Sequence, residues 1–193
     1  MINLCYGNTN TYLLTGERGS LLIDTDYAGT LSAFYKEIKR HEVKVRDITY
    51  VLATHYHPDH MGLVSQLMEQ GVRLLLMDVQ LPYVHFSDPI FRRERHLNYR
   101  PIREGDATVI RCEESRSFLG TLGICGEIIH TSSHSADSVS VLLDDGDCFV
   151  GDLEPMEYLE AYEDNGGLRA DWDLILSHQP RRIFSAHVNE KKI

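Results

Sequence analysis

The sequence predicts an α/β layered fold, and three observations carry that reading. Short apolar runs alternate with segments of helical period in both halves of the chain. One such run, Val51-Leu52-Ala53, leads directly into Thr54-His55-Tyr56-His57-Pro58-Asp59-His60-Met61-Gly62, which packs metal-competent side chains together at a strand-to-helix turn. Three later apolar runs each deliver one more such residue: His134, Asp152 and His187. Strand ends gathered along one sheet edge are where α/β proteins build sites.

Taken in order, strands are expected at Thr11–Leu14 and Ser20–Ile23, with Gly16 and Gly19 marking the turn. Leu31, Phe34, Tyr35 and Ile38 recur at helical spacing, predicting a helix over about 30–42. Ile48–Ala53 reads as a buried strand, and Met61–Gln70 as a helix stopped by Gly71. Arg73–Met77 is another strand, and the proline-punctuated 78–103 stretch reads as short helices and loop. Strands follow at Thr108–Cys112, Glu127–Thr131, Ser138–Leu143, Cys148–Val150 and Arg182–Ala186. A short helix is expected over Ser115–Leu122, and Leu168, Trp172, Ile175 and Leu176 mark a last one.

The 193 residues are 42% hydrophobic and 25% charged, with no linker or low-complexity run, so a single domain over 1–193 is expected. A net charge of −10 argues against a broad nucleic-acid or anionic-membrane surface. No basic, apolar leader and no bilayer-length apolar run is visible, which makes a cytoplasmic location the expectation. Cys5, Cys112, Cys125 and Cys148 form no CxxC pair and read as reduced, mostly buried thiols.

The chemistry lies in the histidines and carboxylates. Imidazole and carboxylate are the ligand set of zinc and related transition metals. His55 and His57 alternate at period two and can face one ion, while Asp59 and His60, at the start of the next helix, can serve a second. His41, His85, His96, His130 and His178 read as ordinary surface or packed histidines.

The His-x-His-x-Asp-His run, the Thr131-Ser132-Ser133-His134-Ser135 loop, Gly151-Asp152 and the late His187 occur in an order that resembles the metallo-β-lactamase-fold superfamily. The resemblance implies a four-layer αββα sandwich with two divalent metal ions at one edge, zinc foremost and manganese or iron as alternatives. It implies His55, His57 and His134 as ligands of one ion, Asp59, His60 and His187 of the other, and Asp152 between them. Asp24, after Leu21-Leu22-Ile23, matches the family's early strand-end aspartate, a support for the metal loops. The chain departs from the family pattern where Ser132-Ser133 replaces Pro-Gly and Ala186 replaces Gly. It also ends soon after His187, without the helical C-terminal domain of full-length glyoxalase II enzymes.

The function implied is a binuclear metal-dependent hydrolase that uses a metal-bound hydroxide to cleave a small ester, thioester or lactone, with Asp59 as the catalytic carboxylate. Other members of the resemblance are the mononuclear-iron persulfide dioxygenases and the phosphodiesterases or ribonucleases of the same fold. Residues 78–103 turn basic within an acidic chain and carry interleaved aromatics. They are expected to form a lid or insertion favouring an anionic small-molecule substrate, with contacts from Tyr56, Arg92, Arg93 and His96. Oligomeric state is left open.

Overall fold

The computed structural model describes residues 1–161 and 164–193. Strands β1 (Ile2–Leu4), β2 (Thr11–Thr15), β3 (Ser20–Ile23), β4 (Tyr50–Leu52), β5 (Arg73–Met77) and β6 (Thr108–Ile110) form one sheet in that order. The pairings β1–β2 and β2–β3 are antiparallel, and β3 through β6 run parallel. The second sheet is ordered β11 (Lys191–Lys192), β10 (Arg182–Ser185), β9 (Asp147–Gly151), β8 (Val139–Leu143), β7 (Gly126–His130). Within it β9 and β10 are parallel and the other pairs antiparallel, so β7, β9 and β10 share a direction.

Side-chain alternation sorts these strands into layers. Tyr12, Leu14, Leu21, Ile23, Tyr50, Leu52, Leu75 and Met77 face Ile128, Val139, Val141, Phe149 and Phe184 across the gap between the sheets. Their neighbours Leu13, Leu22, Val51, Leu74 and Leu76 face outward and pack with α1 (Leu31–Arg40) and α3 (Val64–Met68), through Phe34, Ile38, Val64 and Leu67. On the far side, Leu142, Cys148, Val150 and Ile183 meet Leu168, Trp172 and Ile175 of α6 (Gly166–Ser177). The order is therefore helix, sheet, sheet, helix, the expected αββα sandwich. Each fully buried Leu or Phe in these layers contributes about 1.5–3 kcal/mol.

An aromatic triad fixes the sheets against each other where the site lies. Phe149 and Phe184 stack at 5.0 Å, and Tyr12 tilts against both at 5.0 and 5.5 Å. The Tyr12 hydroxyl donates to the Ser185 carbonyl at 3.0 Å, and the Asn10 amide to that of Ala186 at 2.7 Å. These bonds tie the start of β2 to the end of β10.

Two expectations need correction. The helix predicted over Met61–Gln70 is split into α2 (Pro58–Met61) and α3. A Cβ on Gly62 would lie 2.2 Å from the Ala28 amide nitrogen, so the chain passes directly against the 26–28 loop. The neighbouring Thr25 also takes the helix's hydrogen bonds: its amide donates to His60 O, and its Oγ1 accepts from the Leu63 amide. Second, of the four cysteines only Cys148 is buried; Cys5 and Cys125 are exposed, and all are free thiols. Residues 78–103 are built of the short helices and loop expected there. They form a 3-10 turn over Asp78–Tyr83, α4 (Asp88–Arg93) and another turn over Arg95–Leu97. Buried Val84, Phe91 and Ile102 root them in the helix-side core. The remaining helix, α5 (Ser115–Leu122), closes one end of the inter-sheet layer with Leu119 and Leu122.

Candidate metal centre

Five of the seven candidate ligands sit just beyond the C-terminal end of a strand, the other two, Asp59 and His60, lie in α2, and the strand directions bring these ends to one edge. Asp24 follows β3, His55 and His57 follow β4, His134 follows β7, Asp152 follows β9 and His187 follows β10. Bonds between the loops hold that edge together. The Val139 amide donates to Thr54 O at 2.8 Å across the two sheets. Gln80 Nε2, fully buried, donates to the carbonyls of Ala53, Thr54 and Asp137.

The structure brings all seven predicted ligands together. His55 Nε2 lies 2.9 Å from His57 Nδ1, which lies 3.2 Å from His134 Nε2. These three nitrogens make one convergent donor set. Asp59, His60 and His187 make a second, with His187 Nε2 3.2 Å and His60 Nε2 3.9 Å from Asp59 Oδ2. Asp152 stands between them. Its Oδ2 is 3.3 Å from His60 Nε2, 3.8 Å from His134 Nε2 and 3.9 Å from His55 Nε2, and its Oδ1 is 3.2 Å from His187 Nε2.

The atoms behind the ligands fix which nitrogen faces inward. Asp24 Oδ2 accepts from His60 Nδ1 at 3.1 Å, leaving Nε2 turned to the cluster. The same carboxylate accepts from the Thr54 amide at 2.6 Å and from Thr54 Oγ1 at 2.9 Å. With its proton given to Asp24, Thr54 Oγ1 accepts from His55 Nδ1 at 3.2 Å, so His55 Nε2 also faces the cluster. His187 Nδ1 donates to Asn8 O at 3.0 Å, to the same effect. Asp24 makes these contacts with left-handed backbone at φ 59°, a conformation that Asp tolerates better than branched residues.

The sequence does not single out Asp137, yet this residue joins two ligand loops. Its Oδ2 accepts from the Tyr56 amide at 2.7 Å, between His55 and His57, and its Oδ1 from Ser135 Oγ at 2.8 Å, next to His134. Nothing in the spacing of residues 134–138 points back to residue 56. Gly151 is required as glycine: its φ is 57°, and a Cβ there would meet Thr54 Oγ1 at 2.5 Å.

The donor set fits metal ions. His60 Nε2 and Asp152 Oδ1 are buried without a hydrogen-bond partner among the described residues, and such groups in a packed interior call for an ion or water. Burial, then the neighbouring His60, His57 and His134, keep His55 neutral by lowering its pKa far below the ordinary imidazole value. Burial likewise lowers His134. Burial opposes a charge on His60 too, but Asp24 and Asp152 outweigh it and push its pKa up to about 10. Neutral imidazoles at His55 and His134, and carboxylates that draw positive charge onto His60, make a setting that a cation would suit.

The predicted substrate contacts are placed differently. Tyr56 is fully buried in the helix-side core, so its ring cannot touch a substrate. Its hydroxyl has no hydrogen-bond partner among the described residues. Tyr56→Phe is therefore expected to leave KM unchanged and to raise stability by up to about 1 kcal/mol, read as an increase in Tm. Arg92, Arg93 and His96 are exposed. Arg92 lines a separate depression with Arg95, Asn98, Tyr99 and Arg100. The cleft beside the ligands, about 260 Å³, is instead lined by His134, Asp152 and His187 together with Leu153, Pro155 and Val188. Changing Arg92, Arg93 and Arg95 to Gln is accordingly expected to leave KM within about twofold; an increase of about tenfold or more would return them to the substrate site. The residue of the insertion that does approach the ligands is Phe86, 58% exposed and 5.8 Å from the His57 ring.

The fold has counterparts among known proteins. The chain is similar to the beta-lactamase-like protein 2 homolog of Drosophila melanogaster, 28% identical over 94% of this chain and 59% of that protein. It is also similar to an atrochrysone carboxyl ACP thioesterase of Pseudocercospora fijiensis, 25% identical over 93% of this chain and 47% of that protein. The chain thus spans about half the length of the curated relatives it matches. Among solved structures, a metallo-beta-lactamase family protein from Thermus thermophilus superposes with TM-score 0.72 at 20% identity, covering 95% of this chain and 70% of that one. The protein TTHA1623, solved in a di-iron-bound form, superposes with TM-score 0.72 at 24% identity over 100% of this chain and 94% of its own. The metallo-beta-lactamase superfamily model matches residues 6–187. The chain belongs to the metallo-beta-lactamase superfamily.

Proposed function

We propose that this protein is a metal-dependent hydrolase of small thioesters and related esters, lactones included. The observation that carries the reading is the convergence of two three-residue donor sets on one carboxylate, Asp152, at the floor of an open cleft. His55, His57 and His134 would hold one ion, Asp59, His60 and His187 the other, and Asp152 would reach both. Bound there, such ions supply Lewis acidity and lower the pKa of a water towards about 7. Zinc suits this nitrogen and oxygen donor set, and manganese and iron are the alternatives.

The chain's own residues contribute orientation and exclusion. The Asp59 carboxylate, 35% exposed beside His187, is placed to accept a hydrogen bond from the attacking water and fix its direction. Asp24 and Thr54 hold His60 and His55 in the ligating tautomer. Leu153, Pro155 and Val188 form the apolar wall of the cleft and displace water from the substrate's side. The thioester preference is supported by the relatives named as ACP thioesterases, 25% identical over 93% and 94% of this chain.

The test is a panel of thioesters, esters, lactones and phosphodiesters offered to zinc-loaded protein. Turnover of thioester or ester that is lost on chelation and restored by metal is expected. Ester cleavage that survives chelation, or cleavage of phosphodiesters alone, would overturn the reading.

A further inference from the structure

Behind the cleft lies a second, narrower cavity of about 50 Å³, and the two share the walls Leu153, Pro155, Ser185 and Val188. Met156, Trp172 and Ile183 close its inner end. Leu153, Trp172 and Ile183 are buried, whereas Val188 is 55% exposed at the junction. Several polar groups around this slot already have partners. Trp172 Nε1 donates to Glu154 O at 2.9 Å. Ser185 O accepts from Tyr12 Oη at 3.0 Å and Asn10 Nδ2 at 3.1 Å. The Glu157 carboxylate is paired with Lys191 Nζ. The walls are mostly apolar, Leu153, Met156, Trp172 and Ile183 among them, so what the slot chiefly offers a ligand is carbon.

We propose that this slot is the acyl-chain site, and that it selects an unbranched aliphatic acyl group. The inference rests on the hydrolase reading for the position of the scissile carbonyl, beside His134, Asp152 and His187. From there the chain runs past Val188 and Leu153 towards Trp172. The narrowness of the slot suits a straight chain and excludes a ring system. Leu153 directly follows Asp152, so a tail in the slot lies beside the donor sets.

Two experiments test this. The first compares acetyl to octanoyl thioesters on zinc-loaded protein. kcat/KM is expected to rise about fourfold per methylene over the first few, the gain from burying each one. Met156→Trp, which fills the slot, and Val188→Glu, a change at an exposed side chain that charges its mouth, are each expected to bring the hexanoyl-to-acetyl ratio close to one. A flat chain-length series from a protein that does turn over acetyl thioester would overturn the slot and leave the hydrolase reading standing. The second needs no turnover. Trp172 is the chain's single tryptophan and lines the slot, so its emission reports occupancy. Octanoate added to chelator-treated protein is expected to shift that emission saturably, and acetate is not. No shift with octanoate would overturn the inference even if every thioester were hydrolysed. A saturable shift with no turnover of any ester would uphold the slot and remove the hydrolase reading.

Discussion

Replacing His57 by alanine is expected to abolish hydrolysis and to lower the bound metal, while His178→Ala does neither. His57 Nδ1 is the middle atom of the first donor set, 2.9 Å from His55 Nε2 and 3.2 Å from His134 Nε2. Without it two nitrogens remain, too few to complete the three protein ligands that a catalytic ion of this kind requires. The ring makes its main contacts with His55, His134 and Phe86, so the metal-free fold should lose no more than about 1 kcal/mol. Unfolding of chelated protein by heat or urea separates lost binding from lost folding. His178 stands at the far end of α6, with Nδ1 2.9 Å from Leu174 O and Nε2 3.3 Å from Glu127. Equal losses from the two variants would undermine the ligand assignment.

Asp24→Asn is expected to weaken metal binding by about 10–100-fold, with stability falling by about 1–3 kcal/mol. The substitution keeps shape and left-handed backbone, since Asn adopts positive φ as readily as Asp. What changes is the hydrogen-bond logic. Asp24 accepts three bonds, from the Thr54 amide, Thr54 Oγ1 and His60 Nδ1. An amide places a donor where Oδ2 accepted two of them. His60 is then driven to the tautomer with its proton on Nε2, facing the cluster, and Thr54 Oγ1 loses the acceptor that kept it ready for His55. Metal titration of wild type and variant decides the matter. Unchanged affinity alongside a Tm loss would make Asp24 a purely structural turn residue.

The site is more legible in the sequence than the loops that support it. A ligand at the end of a short apolar strand leaves a local trace: Phe149-Val150-Gly151 before Asp152, or Ile183-Phe184-Ser185 before His187. Parallel strand direction then does the rest, because ends that share a direction share an edge. Asp137, Gln80 and Thr54 leave no such trace. Their roles are hydrogen bonds to residues far along the chain, and sequence period carries no information about those partners.

Elsewhere tertiary contacts override local pattern. Leu63, Val64, Leu67 and Met68 have helical spacing, yet the chain breaks at Gly62 because the 26–28 loop presses on it. The strands β1 and β11 are short edge elements, β11 being Lys191-Lys192, with too little apolar alternation to stand out. The arginines of 92–103 stand out as charge in an acidic chain, but charge run and cleft are different surfaces here. Tyr56 misleads for the opposite reason: a residue between two ligands need not face them, since alternation turns it into the core.

The central claim is that both donor sets hold metal. Elemental analysis of protein purified without chelator or a metal-binding tag tests it most directly. Close to two zinc or manganese ions per chain, falling in His57→Ala, is the predicted result. Close to one iron per chain, or no metal after reconstitution, would contradict it.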